Sequence, residues 1–248
     1  MKLEIALQCH NYQRRLCWQL SSFLQQDGDI PEITVNIASL KNNGSPSTEE
    51  VIECFRDNHL NIKHTVYSDL YLFAHRGLIR NQQIQESDAD WFFFMDADHV
   101  YPPLWFNGVY KATAGRFKHT RRILTSFEKY HTDVDATNLI IDNTPDIYID
   151  DVYNKALDIP RIPVVGRRAA GGGTQLVSME AILDRSGGLY VDPKRCRDKN
   201  MLTGTQRALS DKQFRRKFDT CIDIHLGCQV HLNHIRDKEL GHHTEEQR

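Results

Sequence analysis

The segment Trp91-Phe92-Phe93-Phe94-Met95-Asp96-Ala97-Asp98 constrains the fold more than any other part of this 248-residue chain. Five large apolar residues in a row predict a strand buried on both faces, as in a sheet covered by helices. The two carboxylates then fall where this strand leaves the sheet. Burying a carboxylate costs on the order of several kcal/mol unless a partner compensates, and a divalent cation is such a partner. In open α/β sheets ligands collect beyond the carboxyl ends of the strands. The Asp-x-Asp therefore predicts a cation site that holds a phosphorylated substrate.

The preceding residues alternate between strand and helix patterns. A strand over 3–7 runs into the loop Cys9-His10-Asn11-Tyr12, and residues 13–26 then place Leu16, Leu20, Phe23 and Leu24 at helical spacing. A second strand is expected over 33–38. Ser47 as N-cap, with Glu50 three residues on, announces the next helix. A third strand over 62–67 and a helix over 73–86 lead into the Asp-x-Asp strand. Such alternation with short connections predicts right-handed crossovers and an α/β, doubly wound, mainly parallel, Rossmann-like sheet with helices on both faces. Pro102-Pro103 interrupts regular structure, and a helix over 104–113 follows.

The second half is less periodic. A strand is expected over 122–128. Residues 131–163 carry Pro145, Pro160 and Pro163 and little pattern, the profile of a lid or binding loop. Beyond Gly171-Gly172-Gly173 come a strand over 175–178, a helix, Gly187-Gly188, a helix over 210–217 and a final strand over 221–231. The expected organisation is one domain over 1–248, with a first half at 1–112, a second at 113–235 and a frayed tail at 236–248.

Composition narrows the function classes. Apolar residues make up 40% and charged residues 26%, ordinary for a globular chain. A net charge of −2 argues against general nucleic-acid binding, which needs a basic face. Arg121-Arg122, Arg167-Arg168 and Arg215-Arg216-Lys217 read as solvated surface charge. No apolar run approaches the ~18–20 residues of a membrane helix, and the chain opens directly into a strand, without a leader pattern. The six cysteines show no Cys-x-x-Cys spacing, so reduced thiols and a cytoplasmic location are expected and zinc held by cysteine is not.

The order of these features is a pattern in itself. A His-Asn-Tyr loop follows the first strand, and Arg80-Asn81 precede the Asp-x-Asp strand. A glycine run, Ser210-Asp211 opening a helix and a histidine closing the last strand come after it. In this the chain resembles the nucleotide-diphospho-sugar transferases of the GT-A fold, most closely glycosyltransferase family 2, over residues 2–112 and more loosely over 165–235. The resemblance implies sugar transfer from a nucleoside-diphosphate sugar to an acceptor hydroxyl on a glycan, a lipid-linked molecule or a small molecule. It implies Mn2+ or Mg2+ bound through carboxylates and substrate phosphates.

Residue by residue, it implies that Asp98 binds the metal and that Asp96 meets the ribose or a metal-bound water. His10 and Asn11 would line the nucleotide pocket. Arg80 would contact phosphate while Asn81 orders the pocket. Gly172 and Gly173 would let backbone approach donor or acceptor. Asp211 would be the general base of an inverting transfer. His231 would complete the metal shell, with His225 and His234 as rivals. Plainer roles stay open: a turn or helix cap for Asp96, Asp98, Asn11 or Asp211, and a surface position for Arg80.

One departure affects donor choice. Where the family carries an Asp-Asp-Gly-Ser-like loop after the second strand, this chain reads Asn36-Ile37-Ala38-Ser39-Leu40-Lys41-Asn42-Asn43-Gly44-Ser45. Asn36 and Ser39 could substitute as hydrogen-bonding groups for the missing acids, so uridine and guanosine diphosphate sugars both stay open.

Two other functions compete. A haloacid-dehalogenase-type phosphatase would use Asp96 as nucleophile, Leu124-Thr125 as second motif and Ile147-Tyr148-Ile149-Asp150-Asp151 as an acidic strand end. That motif normally opens its fold, whereas here three strand-helix units precede it. An inactive domain that only binds sugar nucleotides would explain the missing acidic loop.

Overall fold

The computed structural model describes residues 1–41, 45–69, 73, 76–126, 128–164, 174–184, 214, 218 and 221–233. In chain order its elements are β1 (Lys2–Cys9), α1 (Gln13–Leu24), β2 (Glu32–Leu40), α2 (Thr48–Asp57), β3 (Ile62–Tyr67), α3 (Arg76–Gln85), β4 (Trp91–Met95), β5 (His99–Val100) and α4 (Trp105–Ala114). There follow β6 (Ile123–Thr125), β7 (Lys129–Thr132), α5 (Val134–Asp142), α6 (Val152–Asp158), β8 (Arg161–Val164), β9 (Thr174–Ser178), α7 (Met179–Asp184), β10 (Cys221–Asp223) and β11 (Gln229–His231).

Seven strands form the main sheet in the order β10-β6-β9-β4-β1-β2-β3. The pairs β1–β2, β2–β3, β1–β4 and β6–β10 are parallel, and β9 runs antiparallel between β4 and β6. The expected mainly parallel, doubly wound α/β sheet is thus the observed one. β4 is fully buried, as its run of apolar residues requires. Trp91, Phe93 and Met95 join the core made with α1, α2 and α4, while Phe92 and Phe94 join a second core with Ile84, Ala181, Ile182 and Phe214 on the opposite face. Each such side chain contributes roughly 1.5–3 kcal/mol by leaving water. The predicted cap of α2 forms as a reciprocal box: Glu50 N donates to Ser47 Oγ at 3.1 Å and Ser47 N donates to Glu50 Oε2 at 2.7 Å.

A smaller sheet, in the order β5-β11-β7-β8, flanks the first. It corrects three expectations. Residues 131–163 are not an irregular lid, since β7, α5, α6 and β8 occupy most of this stretch. Its helices were hard to see because they are short and start on aspartates rather than on a long apolar stripe. Asp133 caps α5 by accepting from Ala136 N at 2.8 Å. The segment 221–231 is not one strand but two. β10 belongs to the main sheet and β11 to the small one, separated by a turn in which His225 (φ 45) and Gly227 (φ 93) take left-handed conformations. The strand expected over 122–128 is only β6, because the chain leaves the main sheet there to enter β7. Among the described residues no helix is long and apolar enough to cross a membrane.

Candidate metal and nucleotide site

The two carboxylates emerge where β4 ends, and the backbone at once continues into β5. β5 pairs antiparallel with β11, bringing His99 opposite His231, and Leu232 N donates to Asp98 O at 2.8 Å. This pairing delivers a histidine from the far end of the chain to the Asp-x-Asp. His231 Nε2 lies 3.2 Å from Asp98 Oδ2, and His99 Nδ1 lies 2.8 Å from Asp98 Oδ1. Asp98 and His99 are buried, at 5% and 3% exposure. The ligand atoms of Asp98, His99 and His231 all lie within 4.8 Å of one another.

These donors suit a divalent cation. A carboxylate and two imidazoles are competent ligands for a first-row ion such as Mn2+, whereas Mg2+ prefers an all-oxygen shell. His99 Nδ1 and Asp98 Oδ1 lie 2.8 Å apart, so both can face one ion. Burial alone would push the Asp98 carboxyl up, but His231 and His99 overcome that and hold it well below the usual carboxylate range. Burial pushes the His99 ring down, against the pull of Asp98. The resting site therefore tends toward an ionised acid beside a neutral ring, the protonation states a metal requires.

A third histidine belongs to the same neighbourhood. β7 runs parallel to β11, with His131 opposite His231. Across β7, β11 and β5 the three rings stand in one row. His99 and His231 stack at 4.7 Å between centroids with planes 15° apart, while His131 meets His231 edge-on at 4.7 Å and 71°. Burial, then the neighbouring His231 and Lys129, push the His131 ring down to about 3. Burial also lowers Lys129, opposed by Asp96 and Asp98.

Asp96 faces more open surroundings, one third exposed. Arg76 Nη1 contacts its Oδ1 at 3.0 Å, and Gln19 Nε2 donates to its carbonyl at 2.8 Å. The β1–α1 loop lies close by. Burial, with help from the Asp98 charge, raises the Tyr12 hydroxyl to about 12. In that loop Asn11 adopts φ 58 with its Nδ2 3.3 Å from His10 Nε2, and His10 packs edge-on against Phe73.

The remaining predicted residues lie as follows. Arg80 is buried, at 3% exposure, with its guanidinium 5.1 Å from the centre of the Phe94 ring, and Asn81 is half-buried beside it on α3. Gly172, Gly173, Asp211 and His234 lie outside the described residues. His225 is exposed on its turn, 3.7 Å from Asp223 and 3.9 Å from Glu128. Asn36 and Ser39 are committed internally. Asn36 Nδ2 donates to Glu4 Oε1 at 2.7 Å, and Ser39 Oγ lies 2.8 Å from His64 Nε2. Sequence reasoning passed over His99, Arg76, His131 and Lys129. His99 was legible as the residue directly after the Asp-x-Asp, and Arg76 as one helical turn before Arg80. His131 carried no local signal.

Three solved structures share this architecture. Residues 1–349 of TarS of S. aureus, in complex with UDP, are 14% identical, with 93% of this chain and 60% of that one covered and a TM-score of 0.61. The fold is that of the GT-A glycosyltransferases. GalNAc-T7 with UDP, GalNAc and Mn2+ matches at 10% identity over 93% of this chain and 44% of its own, TM-score 0.59. The mannosyltransferase PcManGT of Pyrobaculum calidifontis, with GDP-Man and Mn2+, matches at 12% identity over 95% and 57%, TM-score 0.50. The chain thus spans less than two thirds of each of these proteins, and at such identities the GT-A likeness concerns fold alone. No protein-family model and no curated protein matches the chain.

The GT-A sheet also bears on the phosphatase alternative. Residues 147–149, which that function needs as a strand, are not part of one: 147–148 form a bend ahead of α6, and three strand-helix units precede the Asp-x-Asp.

Proposed function

We propose that this chain is a metal-dependent glycosyltransferase of the hexosyltransferase class, moving a sugar from a nucleoside-diphosphate donor to an acceptor hydroxyl with inversion. One observation carries the proposal: at the carboxyl end of the central strand of a GT-A sheet, buried Asp98 and His99 share a three-donor cluster with half-buried His231. These three residues would hold Mn2+, or less favourably Mg2+. When bound, such an ion stabilises the negative charge of a departing diphosphate.

The chain's own groups do the rest. Arg76, fixed on Asp96, presents a guanidinium fork suited to phosphate oxygens. Asp96 meets the ribose or a metal-bound water, and the His10–Asn11 loop lines the nucleotide pocket together with Arg80 and Asn81. Gly172 and Gly173 allow close approach of backbone to the donor sugar. Asp211 accepts the proton of the acceptor hydroxyl, whose oxygen attacks the anomeric carbon opposite the leaving diphosphate. Residues 1–112 form the donor half of a single domain and 113–235 the acceptor half. The five described cysteines are unpaired, which supports a cytoplasmic location.

A thermal-shift panel of UDP, GDP and other nucleoside diphosphates, each with and without Mn2+, tests this. One of them should raise the melting temperature only when Mn2+ is present, by roughly 2.7 kcal/mol of apparent stability at a hundredfold excess over Kd. If none shifts the melt with Mn2+, the proposal fails. Release of phosphate from a generic aryl phosphate would instead favour the phosphatase.

A further inference from the structure

We infer that His131 is a positioning residue for the cation site: without itself being a ligand, it fixes the ring plane of His231 and so sets how tightly the site holds a divalent ion. This rests on the cation assignment made above. His231 sits in the middle of a three-strand row, with a different ring against it on each side. From β5, His99 stacks on it nearly parallel, at 4.7 Å and 15°. From β7, His131 abuts it edge-on, at 4.7 Å and 71°.

A ring packed flat against one neighbour and edge-on against another loses most of its freedom to rotate about χ2. A metal-binding imidazole needs that restriction, because its nitrogen lone pair must point at the ion. The backbone reinforces the clamp. Thr132, next to His131, donates through Oγ1 to His231 O at 3.2 Å, so β7 holds both the main chain and the ring of β11. The ligand atoms that lie within 4.8 Å of one another are those of Asp98, His99 and His231, whereas the contact His131 makes is with the ring of His231. Its contribution is shape, and a flat hydrocarbon ring should supply the same shape.

The test compares the full chain with His131→Ala and His131→Phe. Mn2+ affinity is read from the electron paramagnetic resonance signal of free Mn2+, and ligand geometry from the visible absorption of bound Co2+. Loss of a supporting group around a metal ligand typically weakens affinity about 10–100-fold. His131→Ala should therefore bind Mn2+ about tenfold more weakly or worse and alter the Co2+ bands. His131→Phe should stay within about threefold of the unaltered chain and keep its spectrum. Should His131→Ala fail to fold, His131→Leu, which keeps bulk but lacks a planar edge, carries the same expectation. The inference is overturned if the Ala variant matches the unaltered chain in affinity and spectrum, or if the Phe variant is as impaired as the Ala variant. If the unaltered chain itself takes up neither ion, the cation assignment falls, an outcome distinct from a site that binds but ignores residue 131.

Discussion

β4 and β11 deliver the two halves of the proposed cation site by opposite means. β4 supplies Asp98 from the middle of the main sheet: five residues, all buried, packed into a separate core on each face. β11 supplies His231 from a strand of three residues in the small sheet, held by register against β5 and β7. A carboxylate at the end of a deeply packed strand is positioned whether or not anything binds. A histidine on a strand of only three residues depends on its neighbours, and an ion bridging it to Asp98 would stabilise that pairing in turn.

Asp98→Ala should separate site from scaffold most sharply. Turnover with any competent donor should fall by at least ~10³-fold, the scale of lost electrostatic stabilisation at a reacting phosphate, and Mn2+ titration should become flat. The metal-free melting temperature should fall as well, because the fold holds Asp98 in its charged form through His231 and His99, and its loss leaves both rings without that partner. An intact Mn2+ titration would make Asp98 a structural cap. Next in size is a pair of core truncations that contrasts the two strands. Phe93→Ala in β4 should cost about 3–5 kcal/mol in urea denaturation yet leave the Mn2+ affinity of the folded fraction unchanged. Val230→Ala in β11 should cost less, roughly 1–3 kcal/mol, but weaken Mn2+ binding, since Val230 anchors the strand that carries His231. Equal effects of both on Mn2+ binding would erase the distinction drawn between the strands.

The same difference explains what could be read from the residues alone. β1, β2, β3 and β4 with their helices were legible because each is long enough to show its period and is closed by local signals such as the Ser47–Glu50 box. Asp96 and Asp98 were legible because carboxylates directly after a wholly apolar strand need a reason to be there. The small sheet was not. Its strands are two to four residues long, below the length at which alternation can be recognised, and they pair across large sequence separations. His131 and His231 are a hundred residues apart, and nothing near either one announces the other. His231 was reached only through family resemblance, and His131 only through the register of β7 on β11.

Asp211→Asn probes the acceptor side, which neither strand supplies. It should leave donor-induced thermal stabilisation intact while lowering turnover by roughly 10²-fold or more, the usual cost of losing a general base. Full activity would remove Asp211 from the mechanism and with it the main support for inversion.

Arg76→Gln should give the smallest structural effect and the most local functional one. The Arg76–Asp96 pair is a third exposed on both sides, so its loss should change stability by no more than about 1 kcal/mol. If Arg76 holds donor phosphates, the variant needs more nucleoside diphosphate for the same Mn2+-dependent thermal shift, whereas Mn2+ affinity without nucleotide stays put, because Arg76 contacts Asp96 rather than the Asp98 cluster. If the change instead weakens Mn2+ binding without nucleotide, the two acids act as one unit and Asp96 has to be counted among the ligands. Arg76→Lys distinguishes charge from shape: a lysine keeps the positive charge but not the planar fork. Partial recovery of nucleotide affinity by lysine would point to charge neutralisation, and no recovery to bidentate phosphate contact.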